Sequence, residues 1–174
     1  MDKKPLFLQQ AWQLFNRVGF HATSIEELRE QLGITKKTLY RYFESKEQLI
    51  IEVLQYRDDV FLQQMQQALS THTGQSAILA YLDFIEHWVQ QTDFCGCSFI
   101  NASAEYSQHE SEQHQIAKTH KAHVKALLAK HDIAEPQLTQ IFLLGEGLIV
   151  QNQVSGYQAR DFEVARQMMD ALRS

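Results

Sequence analysis

Cysteine and proline are both scarce in this chain, with two of each in 174 residues. Cys95 and Cys97 are too few and too close together to staple a fold, and the cytoplasm is the expected compartment. No apolar run of about 18 residues or more is present, so no membrane-spanning segment is expected. The opening stretch, MDKKPLFLQQAWQLF, lacks a continuous apolar segment and a small-residue cleavage site, so no secretory signal is expected either. A Ser–His–Asp-like motif, a phosphate-binding glycine loop and an HExxH zinc motif are all missing. An enzyme is therefore not expected, and nothing asks for a cofactor. Few stretches alternate with a period of two, so strands are not expected.

What is present is a helical pattern. At 44% hydrophobic the chain can bury a substantial core. Five of the seven glycines (Gly19, Gly33, Gly74, Gly96 and Gly156) fall between apolar-periodic segments, as helix-ending glycines do. A first helix carries Phe7, Ala11, Leu14, Phe15 and Val18 on one face. A second opens at Ser24 with Glu27 three residues on, a capping box, and turns Ile25, Leu28 and Leu32 inward. A third follows Thr35. Ser45 caps a long fourth, expected to reach about His72. Further helices are expected at about 75–91, 97–107, 110–131, 135–155 and 161–173. Charge is uneven: residues 1–50 hold 8 Lys+Arg and 6 Asp+Glu, whereas residues 51–174 hold 8 and 15. An acidic chain of net charge -5 thus has a basic first part, where a polyanion contact is expected.

Two short helices joined at Gly33-Ile34-Thr35 make a helix-turn-helix. Leu39 and Phe43 would anchor the second, about Lys36 to Phe43, and leave Lys36, Lys37, Thr38, Tyr40, Arg41 and Tyr42 largely outward. Lysine and arginine neutralise phosphates, and hydroxyls donate to phosphate oxygens. Thr23, Ser24, Thr35 and Lys46 stand at helix starts, where free N–H groups favour an anion. All ten are candidate DNA contacts. The stretch TSIEELREQLGITKKTLYRYFESKEQL, at residues 23–49, closely resembles the DNA-binding region of TetR-family transcriptional repressors. Gly19-Phe20 fits as well, and the resemblance covers about residues 7–50. The family often has glycine where Lys37 stands.

The resemblance implies an all-α protein: a helix-turn-helix domain at residues 1–46, linked by the long fourth helix to an effector-binding and dimerisation domain at 47–174. In such a protein a homodimer reads a palindromic operator. The apolar run Leu138 to Val150 and the repeat Phe162, Ala165, Met168, Met169 and Leu172 would form the two-fold interface. A small-molecule effector would sit among Tyr81, Phe84, Trp88, Phe99, Ile100, Asn101, Glu105, Tyr106, Phe142 and Glu146. In the stretch FCGCSFINASAE, Cys97 would open a helix, whose positive end lowers a thiol pKa. A thiol sensor of oxidants or electrophiles is thus an alternative to a bound effector, and a buried, inert cysteine is the plainer reading. His120 and His123, three apart, have a metal-site spacing, but neighbouring lysines point to a solvated cationic face, so no metal is expected. The expected function is a ligand-responsive repressor. A helical binding module and an enzyme remain the other classes.

Overall fold

The computed structural model describes residues 3–171; Leu172 lies outside the described residues. Those residues form nine α-helices and no strand. They are α1 (Lys4–Val18), α2 (Ile25–Leu32), α3 (Lys36–Tyr42), α4 (Lys46–Leu69), α5 (Gly74–Val89), α6 (Ser98–Glu105), α7 (Glu112–Ala129), α8 (Gln137–Ser155) and α9 (Ala159–Ala171). Local chemistry sets the boundaries of the first four. The Ser24 hydroxyl accepts from Glu27 N at 3.2 Å while Glu27 Oε2 accepts from Ser24 N at 2.8 Å, the expected capping box. Gly33, at φ 64°, ends α2 in the left-handed conformation. Thr35 Oγ1 accepts from Thr38 N and Ser45 Oγ from Gln48 N, which opens α3 and α4.

The chain packs into two units. One comprises residues 1–60 with 98–120, the other 61–97 with 121–174. This grouping follows packing, whereas the division expected at residue 46 follows function. In the first unit, Phe7, Ala11, Leu14 and Phe15 of α1 are buried, as are Leu28 and Leu32 of α2 and Leu39 of α3. Val18, assigned to the same face as Phe15, is instead exposed at the end of α1. The seven-residue α3 is too short to persist alone. Buried Leu39 and Phe43 hold it, each contributing roughly 1.5–3 kcal/mol of apolar burial. A polar seam joins α1 to α6. Trp12 Nε1 donates to Ser98 Oγ at 2.9 Å, Ser98 donates on to Asn16 Oδ1, and the Arg57 guanidinium lies 4.6 Å from the Trp12 ring centre.

In the second unit α5 lies against α8 and α9. Gly145 permits the first approach, since a Cβ there would stand 2.8 Å from the Tyr81 ring and 2.9 Å from Ile85. Phe61 meets Phe84 and Trp88 edge-on, each at 5.2 Å, and Phe94 meets Trp88 at 5.3 Å. Arg166 of α9 pairs with Asp83 and Glu86 of α5, both at 2.5 Å, and the Tyr157 hydroxyl donates to Glu86. Leu143, Val150 and Val154 of α8 are exposed, as are Val164 and Met168 of α9. Gly147 falls on the same stripe of α8, and a Cβ there would meet nothing within 4 Å. Among the described residues no helix is long and apolar enough to cross a membrane.

Candidate DNA interface and effector site

With Leu39 and Phe43 facing the core, α3 presents a cationic outer surface. Lys36, Lys37, Tyr40 and Arg41 are exposed and Thr38 is half-buried. Such side chains suit phosphate or base edges, although Thr38 Oγ1 lies 3.0 Å from Thr35 Oγ1 and the Arg41 guanidinium 5.4 Å from the Tyr42 ring centre. The other candidates are partly committed within the protein. Thr35 and Ser24 serve as helix caps, though both remain exposed. The Tyr42 ring stands edge-on to Phe7 at 5.1 Å, and Lys46 Nζ donates to His21 O at 3.1 Å. Thr23 departs from expectation. It is 0% exposed, and its hydroxyl donates to Gly19 O at 2.6 Å. It locks the turn between α1 and α2 and cannot reach a phosphate.

The ten proposed effector contacts divide between the two units. Phe99, Ile100, Asn101, Glu105 and Tyr106 belong to the first; Tyr81, Phe84, Trp88, Phe142 and Glu146 belong to the second. Phe99 is buried and stacked on His120, ring centres 3.6 Å apart. Glu105 is spent on the DNA-binding head. Its two oxygens accept from Phe20 N at 3.0 Å and His21 N at 2.7 Å, beside Gly19 at φ 99°. Neighbouring Tyr106 packs on the His21 ring, and burial, followed by the charges of Glu47 and Glu105, pushes its phenol up to about 12. Sequence reasoning placed Glu105 in a pocket because its partners lie some 85 positions away.

The second unit assembles a tighter cluster. Tyr81 is 1% exposed and packs against Gly145, next to Glu146. Cys97 is buried; Lys121 Nζ donates to its sulfur at 3.5 Å and pairs with Glu146 at 2.7 Å. Burial alone would lower the Lys121 pKa, but Cys97 and Glu146 outweigh it and the shift is upward. For Tyr81, burial and then the charges of Glu146 and Cys97 all raise the phenol. Lys121 was the member that sequence reasoning missed; it read as one more solvated lysine of α7. Cys95 is exposed, and both thiols are free.

His120 also differs from its expected place on a solvated face. It is buried, with Nδ1 2.7 Å from Asp58 Oδ1. Among the described residues no group of three or more His, Cys, Asp or Glu could hold a metal.

Comparison with known proteins agrees with this geometry. Residues 7–53 match the family model described as bacterial regulatory proteins, tetR family. The HTH-type transcriptional activator FasR of Mycolicibacterium smegmatis is 34% identical over 91 residues, covering 49% of this chain and 42% of FasR. The uncharacterized HTH-type transcriptional regulator YuxN of Bacillus subtilis is 27% identical over 155 residues, covering 84% of this chain and 52% of YuxN. The chain thus spans about half the length of the curated relatives it matches. Reduced Escherichia coli NemR has the same fold, with a TM-score of 0.83 at 22% identity over 97% of this chain and 95% of that one. The relatives are regulators rather than enzymes. The helix-turn-helix with its cationic outer face thus falls in the segment, residues 7–53, that is similar to the tetR family of bacterial regulatory proteins, and the all-helical fold along the chain is shared with NemR.

Proposed function

We propose that the protein is an effector-responsive repressor that binds a palindromic operator as a homodimer, with α3 of each copy in the major groove. The observation that carries this reading is α3 itself. Its apolar residues are buried, while Lys36, Lys37, Tyr40 and Arg41 all remain exposed. The uncovered apolar stripe on α8 and α9 supports a second copy, since monomeric proteins seldom leave such a surface in water. Two recognition helices about 34 Å apart would then read successive major grooves. A ligand that favours a conformation mismatched to the operator needs a coupling of only about 1–3 kcal/mol to change affinity 5- to 150-fold. The effector side has a second form, favoured by the Lys121 contact to sulfur: a change at the Cys97 thiol in place of a reversibly bound molecule.

The test is a titration of the DNA upstream of the protein's own gene, followed by genomic fragments, at several salt concentrations. Tight, salt-sensitive binding is expected. Lys37→Ala should weaken it and flatten the salt dependence by about one phosphate contact. Lys37 and Tyr40 suit this test better than Tyr42 or Lys46, because the latter two also brace the fold. If no fragment binds more tightly than random DNA, the reading is lost.

A further inference from the structure

Between α6 and α7 two histidine rings meet edge to face, at 77° with centres 4.5 Å apart. His109 Nδ1 lies 3.0 Å from His114 Nε2. The other ring nitrogen of His114, Nδ1, lies 2.9 Å from Tyr106 O. A carbonyl oxygen only accepts, so Nδ1 carries the proton and Nε2 of the neutral ring keeps its lone pair. That lone pair faces His109. The backbone around the pair is tied down. Gln115 Nε2 donates to His109 O, and the Ser111 hydroxyl donates to Gln108 O at 2.8 Å and accepts from His114 N at 3.4 Å. His109 is exposed and His114 half-buried, so water reaches both. A histidine that ligates a metal commonly donates its second ring N–H to a carbonyl, which fixes the tautomer and the ring. His114 already has that arrangement.

We propose that His109 Nδ1 and His114 Nε2 form a two-histidine site for a late divalent transition ion of the nickel, copper and zinc class, with water in the remaining positions. Imidazole suits these ions, whereas magnesium or calcium would need oxygen ligands. Metal–nitrogen bonds of about 2.0–2.1 Å place two adjacent ligands about 2.9 Å apart in a square-planar shell and about 3.4 Å apart in a tetrahedral one. The 3.0 Å between the two nitrogens falls within that span. On binding, His109 gives its Nδ1 proton to water and takes one from water at Nε2, so the ring stays neutral. Two nitrogen–metal bonds replace the hydrogen bond, and two waters leave the ion. Among the described residues no third His, Cys, Asp or Glu completes the set, so the site is open to solvent. It also lies at the end of a chain of contacts to the α1–α2 turn. Tyr106, whose carbonyl orients His114, packs on the His21 ring at 4.6 Å, and Glu105 accepts from Phe20 N and His21 N. All of these residues belong to one packed unit. A metal that fixes the α6–α7 turn therefore braces the turn that opens α2. The site does not depend on the repressor reading.

The full chain, stripped of metal and free of any affinity tag, is titrated calorimetrically with nickel(II) and, as the hard-cation control, with magnesium. Expected is one nickel per chain and no heat from magnesium. His109→Ala and His114→Ala should each weaken nickel binding at least about tenfold. His87→Ala, at an exposed histidine of α5, should leave it unchanged. His109 is the decisive position, because its ring is exposed and its loss leaves the His114 bond to Tyr106 in place. The metal-free melting transition of His109→Ala should therefore match that of the parent, which separates a ligand from a packing role. Nickel should also slow hydrogen exchange at the His21 amide in the parent and not in His109→Ala. No nickel binding, or equal affinity in His109→Ala, would reduce the pair to a hydrogen bond between two rings and overturn the proposal. One nickel per two chains would put the ligands on different copies and overturn it as well. Binding that leaves His21 exchange unchanged would overturn the bracing of the turn.

Discussion

Gly145 matters for an atom it lacks. Its Cα hydrogen lies where any larger group would press on Tyr81 and Ile85, and both of those side chains are buried. Gly145→Ala gains helix propensity of about 1 kcal/mol. Overpacking should outweigh that gain, for a net loss of roughly 1–2 kcal/mol in a denaturant titration. Gly147, two residues on, faces open space, and Gly147→Ala should be neutral or stabilising in the isolated subunit by the same measurement. The sequence shows two glycines in one helix but not which has the neighbour, because Tyr81 lies more than sixty positions away. Thr23 and His120 were misread for the same reason. A threonine before a cap and a histidine three from another both look solvated until Gly19 O and Asp58 are found beside them.

Elements were far more legible than single residues, because their signals are local. The Ser24–Glu27 box, the left-handed Gly33 and the Thr35 cap are all set within a few positions of the helix they bound. Ser24→Ala should therefore cost about 1 kcal/mol of stability, read as a lower melting temperature, while leaving the exposed α3 face unchanged. The fastening of α9 to α5 was not legible, since Arg166 and Glu86 stand eighty positions apart. Burial would raise the Glu86 carboxyl, but the Tyr157 hydroxyl and Arg166 together hold it below the ordinary carboxylate value. A depressed folded pKa means stability that is present above the unfolded value near 4.5 and lost as pH falls through the folded one. Acid titration should loosen α9 in that window, and Glu86→Gln should remove this part of the pH dependence. Hydrogen exchange of α9 amides between pH 5 and about 3 would show it, and equal acid sensitivity in the variant would refute it.

At the scale of the whole molecule, the all-helical class and the DNA-binding head follow from periodicity and one specific motif. The body does not, because a pocket is built by tertiary contacts rather than by any one stretch. Phe99 and Glu105 share a helix that sequence reasoning assigned to the effector, and both are engaged within the unit that holds the head. The proposed dimer makes a prediction at this scale. Leu143→Glu with Val154→Glu puts charge on exposed positions of the apolar stripe, so folding should survive. Sedimentation should show monomers, and operator affinity should fall at least a hundredfold, since each copy would then bind only one half-site. A double variant that still sediments as a dimer would place the interface elsewhere.

The two tryptophans give the protein a built-in optical readout. Trp12 sits in the unit with the head, its indole N–H bonded to Ser98 and its ring beneath the Arg57 guanidinium. Trp88 sits in the other unit, ringed by Phe61 and Phe94. Indole emission follows the polarity and charge around the ring, so the two fluorophores should differ in colour and in quenching. Trp12→Phe leaves a chain whose indole fluorescence comes from the second unit alone, and Trp88→Phe leaves one whose indole reports on the unit with the head. Changes around each ring could then be followed separately, in one cuvette, without a dye.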